Sequence, residues 1–293
     1  MGSNYPVRKS SMHFRGVIAV CVLTASLAAC GQRGKFAFTP QIAVTTSYLE
    51  AAVCDLLQTQ VVVLRLSEPG TCPGHFDLRP SEARMARSCR LVLRFDFQKS
   101  LDPKLSAGTQ ESGPKICEIN PPDGMCRPET YLSVCEQVAK CLSEAGLIDS
   151  IQAEARLGTI RSRLEILASK AQRCMSEAGL HGRPVIASHR QEMFCKWLGL
   201  KVVGTFRGAD TSSIGEIENA LKAGKLANVG LVIANSPEGR RAADSIASRL
   251  GAKVVLFDNF PRPKNGAVSF DEMVIANITR LVSGDRDEPI RGR

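Results

Sequence analysis

The sequence predicts an α/β protein made of two doubly wound α/β lobes joined by one long bracing helix, with a cleft between the lobes. Three observations carry that expectation. Along the last third, β-branched runs of five or six residues alternate without a break with helical stretches, the pattern of a parallel sheet. The first third shows the same alternation in shorter form. Between them, Ile160, Leu164, Leu167, Ala171 and Cys174 recur at 4-3-4-3 spacing, which places them on one face of one helix.

The elements follow in order. Gln41–Thr46 reads as a strand, and Ser47 can cap a helix over Tyr48–Leu57. Val61–Leu66 is a second β-branched run that ends at the turn signal Ser67-Glu-Pro-Gly70. Pro80 opens a short helix, since proline is tolerated in a first turn, and Arg90–Phe95 is a third strand. Residues 102–115, rich in Gly, Ser, Pro and charge, read as an exposed loop. A helix runs from Pro128 to about Ala145. The bracing helix follows over residues 148–178, about 45 Å at ~1.5 Å per residue. Cys141-Leu-Ser-Glu-Ala-Gly-Leu147 recurs as Cys174-Met-Ser-Glu-Ala-Gly-Leu180. Two copies do not make a solenoid, so the repeat reads as two helices closed by the same glycine stop. Strands at Pro184–Ser188, Lys201–Phe206, Val229–Ala234 and Lys253–Phe257 then alternate with helices at Glu192–Leu198, Ser213–Ala223, Pro237–Leu250 and Asp271–Val282.

Composition excludes several classes. Of 293 residues, 44% are hydrophobic and 23% charged, so neither coiled coil, collagen nor wholesale disorder fits. One Trp and three Tyr leave little for base stacking, and the basic residues are mixed with acids, so no nucleic-acid surface is expected. The net charge of +9 is partly a leader effect, because Arg8, Lys9 and Arg15 account for three of those charges. Residues 1–29 combine that basic start with an apolar run too short to span a bilayer, the pattern of a signal peptide. The run ends in Leu27-Ala-Ala-Cys30-Gly31, which looks like a bacterial lipobox and implies cleavage before Cys30 and lipidation there. Residues 30–40 then form a tether, 41–146 the first lobe, 147–180 the linking helix, 181–284 the second lobe and 285–293 a tail. Nine cysteines remain after Cys21 and Cys30, in a compartment that permits disulfides.

Open parallel sheets bind ligands outside the carboxyl ends of their strands. The donors expected there are Cys72, His75 and Asp77 after the second strand, then Asp123 and Cys126 before the first lobe's last helix. His189 follows the second lobe's first strand, and Asp258 follows its last. Two loops from each lobe offering an N, O or S donor suit a tetrahedral or slightly expanded divalent site. No G-x-S-x-G, Walker or H-E-x-x-H sequence is present, so no catalytic residue is expected.

On these residues the chain resembles the periplasmic solute-binding lipoproteins of zinc and manganese ABC importers, as a cysteine-rich member of the zinc-uptake type. Pro69-Gly-Thr-Cys72-Pro-Gly-His75 through Pro80-Ser-Glu82 is similar to that family's first ligand loop. Val185–His189 with Phe194 and Leu198–Val203 is similar to its third ligand segment. Leu250-Gly-Ala-Lys-Val-Val-Leu-Phe-Asp258 is similar to the run into its fourth ligand, and Phe270–Asn277 to its closing helix. The resemblance implies one divalent cation between the lobes, Zn²⁺ or else Mn²⁺, held by His75, Asp123, His189 and Asp258. It further implies delivery to a membrane permease with a cytoplasmic ATPase, by a monomer that does no chemistry. The protein would sit in the periplasm or at the cell surface, held to a bacterial membrane through lipid on Cys30.

There are departures. Asp123 stands where the family has His, Cys72 on the usual Asp, and His75 and His189 each one residue past the aligned position. A second version of the site therefore brings in Cys72 or Cys126 as thiolate, while a disulfide among Cys72, Cys117 and Cys126 competes for the same sulfurs. Cys54 and Cys89 are placed to staple the first lobe. The alternative function is a metal-free, disulfide-rich structural or adhesive lipoprotein of the same fold; a thiol-redox or hydrolytic enzyme is the third reading.

Overall fold

A computed structural model describes residues 40–58, 62–68, 76–106 and 113–284. The leader, Cys30, the tether up to residue 39, Cys72, His75 and the tail beyond residue 284 lie outside the described residues.

The first lobe contains β1 (Ile42–Val44), α1 (Ser47–Leu57), β2 (Val63–Arg65), α2 (Pro80–Arg87), β3 (Leu91–Phe95), the short α3 (Asp102–Ser106), β4 (Lys115–Ile119) and α4 (Pro128–Glu144). The bracing helix is α5 (Ser150–Glu177). The second lobe contains β5 (Pro184–Ser188), α6 (Glu192–Trp197), β6 (Lys201–Phe206), α7 (Ile214–Leu226), β7 (Leu231–Asn235), α8 (Arg241–Leu250), β8 (Lys253–Phe257) and α9 (Phe270–Ser283). Each lobe has a wholly parallel four-stranded sheet, in the orders β2-β1-β3-β4 and β6-β5-β7-β8. The two sheets thus share one winding order, and each reverses direction beside its first strand, where open α/β sheets place their ligands.

Period-2 burial explains why the strands read as unbroken apolar runs. Ile42, Val44, Leu91, Leu93, Val185, Ala187, Leu231 and Ile233 join one continuous core that includes α5 and reaches through both lobes. Ala43 and Val92 face a separate apolar layer under α2, and Ile186, Val232 and Ala234 face another under α7 and α8. A strand covered on both faces has no polar side to show.

The bracing helix has 28 residues, about 42 Å at ~1.5 Å per residue. Asp149 caps it by accepting a hydrogen bond from the Gln152 amide at 2.8 Å. Its buried stripe is Ala153, Leu157, Ile160, Leu164, Leu167, Ala171 and Met175. It packs against α1 and α4 of the first lobe and α9 of the second. The repeated Ser-Glu-Ala-Gly-Leu is a repeated helix stop. Leu147 N–H donates to the Leu142 carbonyl and Leu180 N–H to Met175, while Gly146 and Gly179 adopt φ of +63° and +64°. This is the Schellman closure.

One expectation for the first lobe needs correction. Residues 102–115 are not all loop, because Asp102–Ser106 is a helical turn and Lys115 begins β4. The strand Lys115-Ile-Cys-Glu-Ile119 pairs in register with β3 on the sheet edge, with Cys117 and Ile119 turned inward. Short edge strands carry few apolar residues, and this one lies close between Pro114 and Pro121.

Candidate functional site

Asp258 follows β8 and is buried, as expected for a residue at a strand's carboxyl end. Both of its oxygens are taken. Oδ1 accepts from Arg262 Nε at 3.2 Å and Nη2 at 3.0 Å, and Oδ2 lies 3.0 Å from Arg280 Nη1. Burial acts to raise its pKa, but Arg262, Arg280 and a Ser236 hydrogen bond outweigh that and hold the carboxyl below its usual range. The carboxylate is therefore ionised and already balanced by two guanidinium groups. Its main chain is fixed by Asn277, which accepts from the Asp258 amide and donates to the Asp258 carbonyl, both at 2.9 Å.

Cys126 reaches this point from the other lobe. Its thiol donates to the Asp258 carbonyl at 3.2 Å and lies 3.3 Å from Asn259 Oδ1, fully out of solvent. Burial first, then the neighbouring Cys195 and Asp258, push its pKa up, so the sulfur stays protonated at neutral pH. Gln191 completes the contact, its amide nitrogen donating to Asn235 Oδ1 at 3.2 Å and, in a very close contact, to Asn259 Oδ1. Gln191, Asn235, Asn259 and Asn277 are all buried. The seam between the lobes is thus lined by neutral amides and one thiol around a neutralised carboxylate.

Above this seam lies a cavity of about 800 Å³ at the carboxyl ends of β5 and β7. His189, Asn235, Glu238 and Asn259 line it from the second lobe, and Phe97 and Met125 from the first. His189 opens a 3-10 turn directly after β5, with its side chain 58% exposed and Nδ1 3.6 Å from Glu192 Oε2. Ser188, one residue earlier, is fully buried and donates to Glu238 Oε2 at 2.7 Å. The one-residue offset seen in the sequence therefore sends His189 into the cavity mouth and Ser188 into the protein.

Asp123 is exposed and is not among the residues lining the cavity. Its carbonyl accepts from Thr130 Oγ1 at 3.1 Å, which makes it a turn residue ahead of α4. The expected set of His75, Asp123, His189 and Asp258 is thus not assembled by its described members: Asp123 stays outside, His189 lies at the mouth and Asp258 below it. Among the described residues, no group of three or more His, Cys, Asp or Glu side chains is arranged to hold a metal ion. The described cysteines are all free, Cys54 and Cys89 among them, so the expected staple between those two is not formed. Nor are Cys117 and Cys126 joined; Cys126 is in the seam, and Cys117 lies against Cys141.

Sequence reasoning missed the neutral and basic members of the seam. Gln191 and Asn259 stand in the strand-end segments already singled out, but a search for metal donors passes over amides. Arg262 and Arg280 gave no signal, since isolated arginines usually mark a solvated face.

Two parallel α/β lobes with the same winding order, tied by one long helix and opening a cavity at their strand ends, define a two-lobed binding protein. Residues 42–284 match the family described as zinc-uptake complex component A, periplasmic, and the chain belongs to that family. Among solved structures, a ZnuA crystal structure superposes with a TM-score of 0.67 at 18% identity, over 83% of this chain and 97% of that one. Mn-bound and Cd-bound periplasmic metal-binding proteins from Candidatus Liberibacter asiaticus each give a TM-score of 0.69 at 12% identity, over 83% and 98%. At such identities the likeness concerns the fold. Among curated proteins, none matches this chain by sequence.

Proposed function

We propose that this chain is the extracytoplasmic solute-binding component of a divalent-metal importer, capturing zinc first and manganese next, and handing the ion to a membrane permease driven by an ATPase. The cation is cargo, and the protein does no chemistry on it. The observation that carries the reading is the cavity at the ends of β5 and β7, with the His189 imidazole at its mouth, in a member of the zinc-uptake family. His75, in the segment after β2, is the second imidazole of the site, and lipid on Cys30 holds the monomer to a bacterial membrane. Among the described residues, no helix is long and apolar enough to cross a membrane.

One observation favours a second reading, a metal-free protein of the same fold with a structural or adhesive role. Asp258, the family's anionic ligand position, is neutralised by Arg262 and Arg280, and two guanidinium groups beside a carboxylate oppose an incoming cation.

Elemental analysis after chelation and reloading with zinc or manganese, with His75→Ala and His189→Ala alongside, separates the two. One equivalent of metal in the wild type, lost in both variants, supports the importer reading. No retained metal under any loading condition sinks it and leaves the metal-free reading.

A further inference from the structure

Two buried amides line the cavity with donors that no described residue uses. Asn235 ends β7 and Asn259 follows β8; they are 3% and 6% exposed. Both side-chain oxygens are engaged, because the Gln191 amide nitrogen donates to each. That shared donor sets the two amides side by side and turns their oxygens toward the seam. The two amide nitrogens have no hydrogen-bond partner among the described residues. Nor are they sealed in. The sealed, unpartnered side-chain nitrogens and oxygens among those residues are Ser47 Oγ, Arg127 Nε, Arg163 Nε and Asp271 Oδ1. Each amide nitrogen carries two N–H donors, and these open onto the cavity.

We infer that the cavity binds a free amino acid, its carboxylate on Asn235 and Asn259 and its ammonium on Glu238. The inference goes beyond the importer reading and stands without it.

The donors exclude a bare cation as the partner of these amides. A hard cation is held by oxygens, and both amide oxygens are spent on Gln191. A carboxylate offers two acceptor oxygens to two adjacent donors. Glu238 lies one 3-10 turn beyond Asn235 and lines the same cavity. Its Oε2 accepts from Ser188 at 2.7 Å, while its Oε1 lies 3.9 Å from Arg190 Nε, beyond hydrogen-bond reach. Oε1 is therefore open to an ammonium donor.

Charge and size agree with a zwitterion. Arg190 and Arg207 bring two positive charges to the lining, Asp210 and Glu238 two negative ones. Arg207 is 3.6 Å from Glu216, and Asp210 has neither ion pair nor hydrogen bond among the described residues. A wholly anionic ligand would meet both carboxylates unrelieved, whereas an amino acid answers charges of each sign. A cavity of about 800 Å³ is the size of a small-molecule pocket, ~300–1,000 Å³. Met125 and Phe260 supply apolar wall for the ligand's side chain.

The test uses the full chain, stripped of metal by chelation and titrated calorimetrically with each of the twenty amino acids and, separately, with zinc chloride. One equivalent of at least one amino acid should bind without metal. Asn235→Asp keeps the shape and the oxygen that Gln191 needs, but sets a negative charge against the ligand's carboxylate. It should weaken that amino acid tenfold or more and leave any zinc uptake undiminished. Glu238→Gln keeps the acceptor for Ser188 and removes the charge that faces the ammonium, with a loss of similar size. Melting curves establish that the variants are folded, and Glu238→Gln carries the test alone if Asn235→Asp does not fold. No amino acid bound at millimolar concentration, affinity unchanged in the folded variants, or binding that appears only when zinc is added would each overturn the inference. Zinc bound with no amino acid would leave the importer reading standing alone, and an amino acid bound with no zinc would do the reverse.

Discussion

The Cys126 thiol of the first lobe donates to the main-chain carbonyl of Asp258 in the second, at 3.2 Å. This one contact joins the loop before α4 to the end of β8. It places a weak, neutral donor against the main chain of the ionised Asp258. Removing it leaves the Asp258 carbonyl to Asn277 alone and opens a small void beside Gln191, Asn259 and Asn277. Cys126→Ala is expected to cost about 1–2 kcal/mol, and Cys126→Ser less, because the hydroxyl can still donate. Urea unfolding of the two variants checks this; equal stability of wild type and Cys126→Ala would show that the contact does not hold the lobes.

Asp258 is the centre of a charge cluster, so its replacement should disturb stability more than a surface pair would. Asp258→Asn keeps the shape but leaves Arg280 and Arg262 without their counter-charge beside a buried amide. A loss of about 2–3 kcal/mol at neutral pH is expected. Arg262 is 55% exposed and Arg280 31%, so Arg262→Ala should cost less than Arg280→Ala. Chemical denaturation of the three variants gives the order, and an Arg262→Ala loss as large as that of Asp258→Asn would contradict it.

Arg163 on the bracing helix serves both lobes. It donates to Asp55 of α1 at 2.8 and 2.6 Å and lies 3.3 Å from Asp271 of α9. Asp55 also accepts from Tyr131, whose ring stacks on Phe270 at 4.1 Å. Burial raises the pKa of Asp271, and Arg163 works against that rise. A carboxyl with a raised folded pKa binds its proton more tightly folded than unfolded, so stability increases as the pH falls through that pKa. Arg163→Met removes the opposing charge and raises Asp271 further. The variant should lose about 2–4 kcal/mol at pH 7 and recover part of it at pH 5, measured as the difference from wild type at each pH. A deficit that stays constant between the two would mean that Asp271 does not sense the arginine.

Much of this fold could be read from the residues, and the reason is visible in particular strands. Val185 and Ala187 face one apolar layer while Ile186 faces another, so β5 announces itself as an unbroken apolar run. β4 does not, because Lys115 and Glu118 are exposed, Cys117 and Ile119 turn inward and Ile116 is only partly covered on the other face. The site divides in the same way. Asp258, Cys126 and His189 stand at strand ends or in the loop before α4, where a search for donors finds them. The arginines that neutralise Asp258 lie four and twenty-two residues further along the chain, and only the packing of α9 against β8 brings Arg280 back. Asp123 shows the limit of position alone. A carboxylate in a Pro-Asp-Gly turn looks like a ligand in the sequence, and the structure places it exposed, outside the cavity lining, with its carbonyl bound to Thr130.

The repeated Ser-Glu-Ala-Gly-Leu provides a matched pair for measuring what a helix stop contributes. Gly146 and Gly179 occupy equivalent positions, with Gly146 N–H donating to Ser143 at 2.9 Å and Gly179 N–H to Ser176 at 3.0 Å. Both lie in the left-handed region, where an L side chain is strained by about 1–2 kcal/mol. Their surroundings differ. A Cβ at Gly179 would meet nothing within 4 Å, whereas one at Gly146 would sit 3.1 Å from Arg90 Nη2. That atom is the far end of a flexible side chain and can move aside. Gly146→Ala and Gly179→Ala should therefore destabilise by equal amounts within a few tenths of a kcal/mol, each about 1 kcal/mol, and add in the double variant. Urea denaturation of the three proteins settles it. A much larger loss at Gly146 would assign its cost to the Arg90 contact instead of the backbone, and a loss near zero at Gly179 would mean that the second stop frays without consequence.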